Sequence, residues 1–117
     1  MKQGMKIKME KLIKIGSKEV ALKTTGATLL RYKMQFGKDL LTELIKLDGA
    51  YQNGELQAEK LDFEMFFNII WVMAKTATPD IKPPLEWLDE FEELPLLDVL
   101  PQVMELLTNL MRSSRKK

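Results

Sequence analysis

The segment "MFFNIIWVMA", Met65 to Ala74, constrains this chain more than any other, because Asn68 is its one polar side chain and no helix face is left for water. The run is about half of the roughly 20 apolar residues that a membrane-spanning helix requires. It therefore reads as the buried centre of a helix from about Ala58 to Thr76, wrapped by the rest of the chain. A chain of 117 residues that is 45% hydrophobic and 30% charged has enough material for one such core and is not disordered in composition.

The wrapping begins with a hairpin at about residues 5–23. Met5, Ile7 and Met9 alternate with Lys6 and Lys8, and Ile13 and Ile15 resume the alternation before Gly16-Ser17. A two-residue turn there, of type II′, sets Ile13 opposite Val20 and Lys14 opposite Glu19, pairing apolar with apolar and cation with anion. A lone hairpin is barely stable in water, so its Ile13, Ile15, Val20 and Leu22 face has to lie on helices.

Helices fill about residues 25–111. Thr24 or Thr25 caps the first, in which Leu29, Tyr32 and Phe36 recur at three- and four-residue steps until Gly37 offers a left-handed stop. Asp39 caps a second, with Leu40, Leu44 and Leu47 in one stripe beside Leu41 and Ile45, and Asp48-Gly49 ends it. "GAYQNGEL" reads as a loop. Three prolines in "TATPDIKPPL" end the central helix. "PLEWLDEFEEL" follows as a short helix, and the last carries Leu100, Val103, Met104, Leu107, Leu110 and Met111, with Pro101 starting or kinking it. The expected fold is α+β and mainly helical: an N-terminal hairpin or small antiparallel sheet, then four to five helices. It forms a single globular domain over residues 1–111 with a basic tail at 112–117.

The residue types exclude much chemistry. There is no His and no Cys, so Ser-His and Cys-His nucleophiles, thiolate and histidine metal sites and disulfides are all ruled out. A chain without Cys suits a reducing compartment. Glu86, Asp89, Glu90, Glu92 and Glu93 lack the spacing of a calcium loop, and the glycines lack any phosphate-cradling pattern, so no metal, cofactor or catalytic residue is assigned. From Met1 to Lys23 seven Lys stand against two Glu, and from Asp80 to Glu105 eight acids stand against one Lys. The N-terminal lysines are spread along strands without aromatics, the layout of a solvated face and not of a nucleic-acid surface. Neither a membrane span nor an export signal is visible.

Protein binding remains. Eight methionines supply side chains that adapt to irregular partners as readily as they fill core gaps; core filling is the reading for most, and Met104 and Met111 are the ones placed to face a partner. Met104, Leu107 and Met111 on the last helix, with Trp87 and Phe91 between the proline-rich and acidic segments, form the candidate partner-binding set. The preferred reading of Trp87 and Phe91 is that they pin the short helix to the central one. A small adaptor or regulatory protein that self-associates through the last helix is the competing class.

The order "IKIGSKEVALKTTGATLLRYKMQFGKDLL", a buried helix containing Phe and Trp, "PLEWLDEFEELPLLDVLPQVMELL" and a Lys-rich end resembles the tail assembly chaperones encoded by long-tailed phages and prophages of Gram-positive bacteria. The similarity spans nearly the whole chain. Arg31, Tyr32, Phe36, Gly37 and Lys38 match the family pattern, as does the segment around Trp87, Leu88 and Phe91. The resemblance implies a non-enzymatic protein of the host cytoplasm, absent from the mature virion, that coats the tape measure protein and keeps it soluble until the tail tube assembles. It names the tape measure protein as partner, with the major tail tube protein and a second copy of this chain as further candidates. It also implies a translational frameshift near Arg115-Lys116-Lys117 that adds a second domain in part of the product.

Overall fold

The first hairpin forms as its residues dictate. In the computed structural model, which describes residues 10–49, 51–52, 55–57, 59 and 62–115, strands β1 (Glu10–Ile15) and β2 (Lys18–Lys23) pair antiparallel. Ile13 lies opposite Val20 and Lys14 opposite Glu19, the expected register. Side chains are described throughout these ranges except at 47, 48, 51, 52, 56, 96, 97 and 111–115. The expected strand residues Met5, Ile7 and Met9 lie outside the described residues. Gly16 takes φ 64° at the turn, as primed hairpin turns require, and a Cβ there would also meet the Glu93 carbonyl oxygen at 3.5 Å. Ile13, Ile15 and Leu22 are buried on one face, while Leu12, Lys14 and Glu19 occupy the exposed one.

Helix α1 (Thr28–Phe36) starts later than the threonines suggest. Ala27 holds the cap position without a side-chain bond. Thr25 instead closes the preceding turn: its hydroxyl accepts from the Ala27 N–H at 3.1 Å, and its own N–H donates to the Thr28 hydroxyl at 2.7 Å. Gly37 ends α1 in the left-handed region, φ 74°, its N–H donating to the Lys33 carbonyl. Helix α2 (Leu40–Gly49) follows. The segment read as a loop contains a second, minimal hairpin, β3 (Tyr51–Gln52) with β4 (Glu55–Leu56). Asn53-Gly54 between them, the commonest two-residue hairpin sequence, was the available signal.

The central helix α3 (Phe63–Ala77) begins about five residues later than its apolar pattern suggests. Asp62 sets the start, its carboxylate accepting from the Met65 N–H at 3.2 Å. Every residue from Ile69 to Ala74 is buried, so α3 is enclosed on all sides over that stretch. It packs on β2 and α1, while α5 (Leu96–Arg115) packs on β1. The Trp71 indole donates to the Lys82 carbonyl at 2.9 Å, tying the proline-rich connection back onto α3.

Helix α4 is one turn and a little more, Pro84–Leu88, with Pro84 at its first turn. The expected longer helix stops there, and Phe91 lies beyond it in a turn whose N–H donates to the Leu88 carbonyl. Pro101 lies inside α5, five residues past its start, where it removes the N–H that would bond the carbonyl four residues back. It does not begin the helix. The fold is α+β and mainly helical among the described residues: an N-terminal two-stranded sheet, then five helices with the minimal β3–β4 hairpin between α2 and α3.

Gly37→Ala should destabilise the protein by about 1–2 kcal/mol in urea unfolding, since open space around the site leaves only the left-handed backbone to resist a Cβ. Gly26→Ala, also in open space but without a positive φ, should be neutral or slightly stabilising in the same assay.

Candidate functional site

Of the five residues proposed from sequence for partner binding, two are buried and two are half-buried. Trp87 is 5% exposed, and the Phe91 ring meets it edge-on with centroids 4.8 Å apart. Phe91 is half-buried beneath the Lys18 ammonium, 5.7 Å from its centroid. This pair therefore clamps the α4 region to the hairpin. Leu107 is 2% exposed and belongs to the core with Leu100, Val103, Leu106 and Leu110. Met104 is half-buried against the same core. The Met111 side chain lies outside the described residues. Leu107 of α5 and Trp87 of α4 thus face the interior of the domain. Burying the hairpin face on β1 needs α5's apolar stripe, and the contact between Lys11 and Glu105 ties the rim of that junction.

Among the described residues, four of the seven exposed large apolar side chains lie on α1 and α2, and Leu12, Phe63 and Leu85 are the others. Met34 is 77% exposed, Ile45 73% and Leu30 61%. Leu30 and Met34 are four residues apart on the outer side of α1, opposite Tyr32, and Leu41 and Ile45 repeat that spacing on α2. Sequence reasoning placed Leu41 and Ile45 beside the buried stripe of α2, counted Met34 only among the eight methionines and gave Leu30 no role. Their signal was an apolar i, i+4 pair out of phase with Leu29, Tyr32 and Phe36.

A firm inner side holds α1 in place. Tyr32 is fully buried, its ring 5.1 Å from that of Phe36, which in turn meets Trp71 of α3 edge-on at 6.0 Å. The Tyr32 hydroxyl donates to the Glu43 carboxylate of α2 at 3.2 Å. Glu43 is itself buried, with the exposed Lys46 ammonium 3.7 Å away. Burial first, and the Glu43 charge second, push the Tyr32 phenol well above its ordinary value of 10.0. A neutral phenol against a buried carboxylate can donate and hold, which suits a fastener between helices.

An open cleft of about 580 Å³ lies where the Gly16 turn faces Glu90–Glu93. Lys18, Glu90, Glu92 and Glu93 line it with Phe91, and Glu90 also reaches Lys82 at 3.4 Å. The carboxylates of this segment are exposed. Among the described residues no group of three or more His, Cys, Asp and Glu is arranged to hold a metal ion, and no helix is long and apolar enough to cross a membrane.

Tyr32→Phe should cost about 1–3 kcal/mol in denaturant unfolding, because it leaves a buried carboxylate short of a donor. The linkage has a definite sign. A phenol with a raised folded value stabilises fully below its unfolded value near 10.0, and that contribution is lost as pH rises from there through the folded value. Stability of the wild type should therefore fall with pH above about 10, with a shallower fall in Tyr32→Phe.

No protein-family model, curated protein or solved structure matches this chain.

Proposed function

We propose that this chain is a non-enzymatic phage tail assembly chaperone that binds the tape measure protein and keeps it soluble in the host cytoplasm while the tail tube assembles. The observation that carries the reading is the exposure of Leu30, Met34 and Ile45 on helices whose inner sides are firmly packed. Large apolar side chains held at helical spacing on a folded scaffold suit reversible capture of amphipathic helices. The order of hairpin, "LRYKMQFGKDLL" and the Trp87 segment supplies the phage-specific part, through its resemblance to chaperones of this kind. A tape measure protein is long and helical, with apolar surface that has no tube around it until late in assembly. Many small domains, each binding weakly, would cover that surface and still leave when tube subunits arrive. The major tail tube protein is a second partner on this reading.

Co-expression with the tape measure protein of the same genome, followed by affinity capture and size-exclusion chromatography with light scattering, should recover soluble tape measure protein carrying many copies of this chain. Insoluble tape measure protein, with this chain eluting alone both in its short form and with any frameshifted extension, would overturn the proposal.

A further inference from the structure

Helix α1 presents one surface that its own fold leaves unused. Tyr32 and Thr28 point inward and are buried, so at 3.6 residues per turn Leu30 and Met34 are left on the opposite side, 61% and 77% exposed. Arg31 and Lys33 flank this apolar pair on its two sides by the same helical geometry, and Lys38 follows just past the Gly37 stop. All three cations are exposed, no ion pair among the described residues engages them, and α1 contains no acid. The surface is thus an apolar stripe between two cationic edges.

We infer that the outer face of α1 is a docking surface for an amphipathic helix whose apolar stripe is edged by carboxylates. Leu30 and Met34 are the apolar contacts, and Arg31, Lys33 and Lys38 are the charge-selecting rim. Charge complementarity selects this occupant: a stripe flanked by Lys or Arg would set like charges together on both edges, whereas Glu and Asp would meet cations that no acid among the described residues engages. Helix-on-helix packing fits because side chains four residues apart form the ridge that seats in a partner's groove. Met34 adds adaptability to different apolar sequences. With nine residues, α1 is only about 13 Å long, so one copy covers two to three turns of a partner and binds it weakly. For the identity of the natural partner the inference rests on the tape measure reading, and it adds that the segments bound are acidic-edged.

The test uses the full chain and two synthetic helical peptides with the same leucine stripe, one edged with Glu and one with Lys. Amide shift mapping and calorimetry should show the Glu-edged peptide binding at Leu30, Arg31, Lys33 and Met34, more weakly as salt is raised, and the Lys-edged peptide not binding. Leu30→Asp with Met34→Asp should weaken binding by about tenfold or more, and because both sites are exposed the thermal unfolding should be unchanged. Arg31→Glu with Lys33→Glu should reverse the preference toward the Lys-edged peptide. Equal binding of both peptides, shifts confined to Ile45 or to the Gly16–Glu93 cleft, or unchanged affinity in the Asp variant would overturn the inference. So would a concentration-dependent dimer that Met34→Asp abolishes, or retention on RNA or DNA that the charge reversal abolishes. If co-expressed tape measure protein stays soluble with the Asp variant as with wild type, the surface assignment falls and the chaperone reading stands. If wild type fails to hold tape measure protein but selects the Glu-edged peptide on α1, the surface assignment stands and the chaperone reading falls.

Discussion

Enclosing α3 is the requirement on which the rest of this structure depends. Six consecutive buried residues, Ile69 to Ala74, cover every direction around the helix, so no side of that stretch can face water. At roughly 1.5–3 kcal/mol for each large apolar side chain buried, leaving any one flank open would forfeit a large part of a domain's net stability. The chain meets the demand with β2 and α1, and folds the proline-rich connection back through the Trp71 indole. The hairpin gains in return, since two strands alone would not persist and its Ile13, Ile15 and Leu22 face is sheltered by α3 and α5.

The same demand decides which apolar side chains are free for partners. The last helix carries a broad apolar stripe, yet its Val99, Leu100, Val103, Leu106 and Leu107 are spent in covering β1 and completing the core. Trp87 and Phe91 are likewise engaged with each other and with Lys18 of the hairpin. Helix α1 differs because its anchoring lies on one side, where Thr28 and Tyr32 are buried and Leu29 and Phe36 pack against the core. One large buried ring, fastened through its hydroxyl to Glu43, frees the opposite side of the helix for Leu30 and Met34. A short helix held this firmly presents its outer residues at little cost in ordering on binding.

The residues themselves made much of this legible. Alternation on both sides of Gly16-Ser17 determined the strands and their register, because a slip by one residue would turn Ile13 and Ile15 to solvent. Gly37 was readable as a helix stop, and Met65 to Ala74 as the central buried helix, since each depends on local geometry or on burial in all directions. Helix starts were less legible. Asp62 outweighed the apolar pattern that precedes it, and Thr25 spent its hydroxyl on the turn before α1. The β3–β4 hairpin was signalled by Asn53-Gly54 alone, with strands too short to show alternation.

What the sequence determined by itself is the local conformation and the side of each element that must be buried, because turn chemistry and periodicity act within a few residues. What only the tertiary structure decided is which buried-type stripes find cover within the chain and which apolar pairs do not. Leu107 and Met34 are both large apolar residues on helices, yet one is 2% exposed and the other 77%. Periodicity within each helix puts Leu107 in phase with a buried stripe and Met34 out of phase with one; whether a neighbour covers the second kind is set by the elements that the packing around α3 brings alongside.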